Sequence, residues 1–322
     1  MRWISVLVFL FGLCTFAQAQ SNTATTISLP IDRQRPTLDL SWSIEEITDG
    51  SVPAEIVTDT REIARNGLPD GRVEIAPVRN DIEEAWYSEP TERYRHAVLG
   101  DGVEAGALRV KTYRGQEFTF RLPRTEVFED ITPRLADLDG DGRTEVITIL
   151  SSATEGASVA VFGLNGSAFV KLAQSPYIGR SNRWLNIAGI TRFTGNRAQE
   201  IAIVETPHLA GLLKLYSYST GSTTLRNSMI VPGFSNHQIG SGELRLSALG
   251  YLDNNNRPEL IVPSLNRQTL FIVSLTRRGL RLLSRIDLPA RVDKAIAIKG
   301  EGSDMELTVG LDDGKIYALR QQ

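Results

Sequence analysis

The segment richest in chemistry is Asp137-Leu138-Asp139-Gly140-Asp141-Gly142-Arg143-Thr144-Glu145. Carboxylates at its first, third and fifth positions place three hard oxygen donors on the inside of one tight turn, and the glycine at the sixth permits the reversal. The backbone carbonyl of Arg143 and the carboxylate of Glu145 add two more donors. Together they approach the six to eight oxygens that a calcium ion takes. The plain alternative is a polar Asp-Gly turn that binds no ion. Four unpaired acids within nine residues repel one another in an empty loop, which favours the ion.

Other catalytic patterns are missing from the sequence. It has no Gly-x-Ser-x-Gly elbow, no His-Glu-x-x-His pair, no Ser-x-x-Lys and no phosphate-cradling glycine loop. The three histidines, His96, His208 and His237, fall in different repeats and share no motif, and His96 is read as a strand-edge or partly buried polar side chain. The stretch from Ala85-Trp86-Tyr87 to Glu104-Ala105-Gly106 is rich in aromatic and charged residues. It is read as packing between repeated units, with a ligand-facing loop as the alternative.

The start of the chain predicts a secretory signal over residues 1–19: Arg2, an apolar run from Trp3 to Phe16, then Ala17-Gln18-Ala19. That run is shorter than the roughly 20 residues of a spanning helix, so the mature chain, residues 20–322, is expected to have no transmembrane segment. The only cysteine, Cys14, lies inside the signal, which excludes disulfides and thiol chemistry afterwards. Without Arg2 the balance is 34 basic against 38 acidic residues, a net charge of −4, which argues against nucleic acid as a partner. Export predicts a periplasmic or secreted protein.

Short apolar runs recur at Ala97-Val98-Leu99, Val146 to Leu150, Ile201 to Val204, Leu260 to Val262 and Leu307 to Val309. The separation is roughly 50 residues, within the range of propeller blades. Each is followed by a second strand-like segment, and four by a turn and a third. Asn165-Gly166, Arg114-Gly115, Thr220-Gly221 and Arg278-Gly279 supply hairpin chemistry. With the segment before each run, these make four strands per repeat. The expected fold is all-β, a β-propeller of about five to six four-stranded blades. The last unit lacks its own final strand, and Thr26 to Pro30 near the N-terminus is expected to supply it and close the ring. Residues 31–80 are irregular and read as a degenerate blade or an insertion.

With strands on both sides, the acidic loop resembles the calcium loop of FG-GAP and VCBS repeat proteins, whose blades are those of the integrin α-subunit propeller. The repeat resemblance covers roughly residues 85–322, and only this loop matches fully. It implies a calcium site on Asp137, Asp139, Asp141, the Arg143 carbonyl and Glu145. The equivalent loops at 192–199 and 251–258 have lost most of their acids. Glu145, Glu200, Glu259 and Glu306 persist before their strands, a pattern that points to carboxylates accepting loop N–H groups. The functional expectation is a non-catalytic, calcium-binding scaffold for a protein or glycan partner. Its rival is an envelope hydrolase or lyase with a site in the channel, which a lining of convergent acids and a histidine would support. A third reading is a structural part of a larger envelope assembly.

Overall fold

The computed structural model describes residues 40–253 and 255–322. Strand β1 (Trp42–Glu46) is followed by a single helical turn, α1 (Ala54–Val57). The first blade holds β2 (Glu74–Ile75), β3 (Ile82–Thr91), β4 (Glu104–Thr112) and β5 (Glu117–Arg121). A short strand, β6 (Glu126–Phe128), leads to the second blade: β7 (Arg134–Ala136), β8 (Glu145–Ser152), β9 (Gly156–Asn165) and β10 (Ala168–Gln174). The third blade comprises β11 (Leu185–Thr191), β12 (Glu200–Glu205), β13 (Leu212–Ser217) and β14 (Arg226–Val231). The fourth holds β15 (Ala248–Gly250), β16 (Glu259–Pro263), β17 (Thr269–Thr276) and β18 (Gly279–Asp287), and the fifth β19 (Val292–Lys299), β20 (Glu306–Leu311) and β21 (Ile316–Gln321).

Every pairing between these strands is antiparallel and each blade is a meander, which together make a β-propeller. Burial falls outward across a blade. The second strand, β8, is buried at every position, so its Val-Ile-Thr-Ile-Leu stretch shows no apolar–polar alternation. The outer strand β10 alternates because one of its faces meets solvent. Apolar side chains gather between neighbouring blades in four clusters. The first two blades are further joined by β6, which pairs with β4 at Ala105 and with β8 at Leu150 to Ser152.

Strand β1 pairs antiparallel with β21, from Trp42 opposite Gln321 to Glu46 opposite Tyr317. An N-terminal strand thus completes the fifth blade, and it is Trp42–Glu46; Thr26 to Pro30 lies outside the described residues. Residues 47–73 form no further blade. Their helical turn α1 packs on β19 and β20, and Leu68 enters the apolar cluster of the first two blades. The first repeat also departs from expectation. Its second strand is Ile82–Thr91, and Ala97-Val98-Leu99 lies in the loop beyond it, with Ala97 at φ +54°. Pro90 disguised that strand in the sequence, yet it sits at the strand's end opposite Ala105. No helix among the described residues is long and apolar enough to cross a membrane.

Candidate metal centre

The meander fixes which loops share a face. Loops from the first to the second strand of a blade, and from the third to the fourth, lie at one end of the ring. The remaining connections lie at the other. The acidic loop joins β7 to β8 at the first of these faces.

Its backbone is shaped by its own carboxylates. Asp137 Oδ1 accepts from the Gly140 N–H at 2.8 Å and Oδ2 from the Gly142 N–H at 3.0 Å. Asp139 Oδ1 accepts from the Asp141 N–H at 3.2 Å, and Asp141 Oδ1 from the Arg143 N–H at 2.8 Å. Gly140 and Gly142 sit at φ +79° and +82°, where a side chain would be strained. Asp137, Asp139 and Glu145 each bring a carboxylate oxygen within 4.8 Å of the others. Asp141 stands outside that group. Three hard oxygens at this separation could supply about half of the six to eight donors that a calcium ion takes.

Glu145 is the buried member. Its Oε2 accepts from the Leu138 N–H at 2.7 Å, while desolvation and then the neighbouring aspartates push its carboxyl up to about 8. Glu259 repeats the contact, accepting from the Leu252 N–H at 2.7 Å, and Glu200 accepts from Thr194 N–H at 2.8 Å. Glu306 departs from the set: it holds Arg320 Nε at 2.6 Å. A loop-bracing carboxylate is thus built into three blades whether or not an ion is beside it.

The histidines, scattered in sequence, meet on the opposite face. His237 Nε2 donates to the Ser241 carbonyl at 2.7 Å; a carbonyl only accepts, so His237 Nδ1 is left to accept from His208 Nε2 at 2.9 Å. Burial holds both rings neutral, at about 4 for His208 and about 3 for His237. Trp184 stacks parallel to His208 and donates to the Glu129 carbonyl at 2.9 Å. Glu129 in turn holds His96 Nδ1 at 2.6 Å and the Ser151 hydroxyl. Nearby Glu104 is pushed up to about 9 by desolvation and then by the Glu129, Asp101, Asp70 and Asp130 charges. Topology was the missing signal: all three histidines stand in connections that emerge at the same end of the ring.

The axis is different again. Between the inner strands lies a cavity of about 340 Å³ whose charged lining is Arg61, Glu74, Arg134 and Arg245. Each arginine is held by a carboxylate: Arg61 by Asp59 at 2.6 Å and Glu74 at 3.1 Å, Arg134 by Asp130 at 2.5 Å and Arg245 by Glu243 at 2.7 Å. No histidine is among the lining residues. The arginines are thus ion-paired around the cavity, and the one carboxyl in its lining, Glu74, is raised by desolvation and paired with Arg61.

No family model matches the chain, and no curated protein matches it. Among solved structures the chain is similar to BBS1N in complex with ARL6DN, soaked with mercury, at 10% identity and a TM-score of 0.42, over 79% of this chain and 66% of that one. It is also similar to BBS1N in complex with ARL6DN, soaked with lead, at 14% identity and a TM-score of 0.38, over 58% of this chain and 52% of that one.

Proposed function

We propose that this chain is an exported, calcium-binding scaffold of the FG-GAP/VCBS kind, in which the ion stiffens one loop and the faces of the ring meet a protein or glycan partner. The observation that carries the calcium reading is the convergence of Asp137, Asp139 and Glu145 within 4.8 Å, in a loop whose turns their own side chains fold. Asp141 and the Arg143 carbonyl complete the ligand set on the repeat resemblance. Export to the periplasm or beyond rests on the signal over residues 1–19. Non-catalytic action is favoured by the paired arginines of the axial cavity.

Extracellular modules bind calcium with dissociation constants around 10⁻⁴ to 10⁻³ M, so at about ten times that concentration the ion adds ~1.4 kcal/mol. For a chain of this size that is a rise in Tm of about 2–4 °C. A thermal melt of residues 20–322 in calcium and in chelator measures it, beside Asp139→Ala/Asp141→Ala. The expected result is a rise in the natural protein that the variant lacks. Identical melts in calcium and chelator would reduce the loop to a turn.

The hydrolase or lyase reading draws on one observation, the carboxyl of Glu104 raised to about 9 beside Glu129 and His96. Burial weighs against it: the Glu129 side chain has no solvent exposure. Ser151 beside it is also fully buried.

A further inference from the structure

The loop that carries three aspartates in the second blade carries none in the third. Aligned on Glu145 and Glu200, Asp137, Asp139 and Asp141 are replaced by Arg192, Thr194 and Asn196. The residue that reaches over from the next blade changes in parallel. Thr220 meets Asp139 in one case, and Arg277 meets Asn196 in the other. Where the second blade concentrates negative charge, the third and fourth concentrate positive charge.

Between these two blades lies a pocket of about 730 Å³ whose lining includes Arg257, Arg277, Arg278 and Arg281, with no carboxylate in it among the described residues. Among the described residues none of the four forms an ion pair, in contrast to the axial Arg61, Arg134 and Arg245. Two acceptors at the rim are already engaged by the backbone. Asn255 Oδ1 takes the Arg257 N–H at 2.8 Å, and Thr276 Oγ1 takes the Arg278 N–H at 3.2 Å while donating to the Gly279 carbonyl at 2.9 Å. Arg281 Nε is buried without a partner, a state that costs the desolvation of a charged donor until an acceptor arrives. Arg257 is held in place by crossing Gly195, whose φ is +74° and whose Cβ, if present, would stand 3.2 Å from the arginine.

We propose that this pocket binds a phosphate or sulfate ester. Guanidinium forks match the oxygen pairs of such groups. Charge count selects a phosphate monoester, about −1.5 to −2 at pH 7, over a lone carboxylate, and a sulfate ester, singly charged like a carboxylate, is favoured over it by its third terminal oxygen as an acceptor for the guanidinium forks. The volume falls within the roughly 300–1,000 Å³ of small-molecule pockets, room for the ester's carrier as well as its charge. The pocket involves none of the candidate calcium ligands, and the site stands whether or not the acidic loop holds an ion.

Calorimetric titration of residues 20–322 in metal-free buffer at low ionic strength tests it, with inorganic pyrophosphate and a fully sulfated disaccharide as probes. Both are expected to bind; a preference for pyrophosphate assigns free phosphates and a preference for the disaccharide assigns esters on a glycan. Arg257→Gln/Arg281→Gln weakens binding about tenfold or more, as loss of charge-assisted pairs requires. Arg277→Gln/Arg278→Gln, at an exposed hairpin tip where folding is not at stake, weakens it likewise. Arg285→Gln, on the same strand but paired with Asp287 at 3.0 Å, leaves binding unchanged. Absence of binding to both probes overturns the proposal, as does equal weakening by Arg285→Gln or an equal affinity for glucuronate.

Discussion

Glu104 is the residue whose environment makes the sharpest demand on solution conditions. Only 2% exposed, it has its carboxyl raised to about 9 by desolvation and by surrounding acids. The folded chain therefore keeps a proton that the unfolded chain releases from pH 4.5 upward. Stability is full below that point and is lost as pH rises toward 9. Glu104→Gln, neutral at every pH, should raise Tm at pH 8 by on the order of 5 °C and leave it unchanged at pH 4. Melts at the two pH values check this, and a variant no more stable than the natural protein at pH 8 sinks it. Residue-scale legibility was uneven for a physical reason. The acidic loop could be read because its donors sit at alternate positions of one turn, whereas His208 and His237 meet only after the chain has passed through a whole blade edge. No local spacing encodes that.

At the scale of elements, the decisive piece is β1. It covers the free edge of β21, and Trp42 Nε1 donates to Ser284 Oγ of the fourth blade at 2.8 Å. Trp42→Ala removes that bond and half-buried packing, and should cost about 1–2 kcal/mol, read as a lower denaturant midpoint. A chain beginning at residue 47 keeps the pairing of β21 with β20 but leaves its outer edge open, and should aggregate, seen by light scattering. A truncated chain that stayed monomeric with an unchanged Tm would show β1 to be dispensable. The hairpins were legible because glycine at positive φ is a local requirement, met by Gly115, Gly166 and Gly221. The strand Ile82–Thr91 was not, since Pro90 and Glu89 at φ +58° break the local pattern that the pairing with β4 restores.

Each blade shares an apolar cluster with its neighbour in sequence, so none can leave without exposing at least one of the four clusters. With the N-terminal strand inside the last blade, unfolding should be one cooperative transition. Native-state hydrogen exchange checks this: amides of β8 and β20 should exchange with the same free energy, equal to the global value. Much weaker protection in β20 would show that the fifth blade opens on its own. Four strands per repeat, the all-β class and the need for a strand near the N-terminus in the last blade were determined by the sequence itself, which placed that strand at Thr26 to Pro30. Each depends on local chemistry or on a period that repeats along the chain. Only the tertiary structure decided that Trp42–Glu46 takes the closing position, that three histidines gather with Glu129 at one end, and that four arginines with no ion pair among the described residues converge between the third and fourth blades. Those outcomes follow from which loops emerge at which end of the ring, a property of strand direction and of closure that no stretch of sequence carries alone.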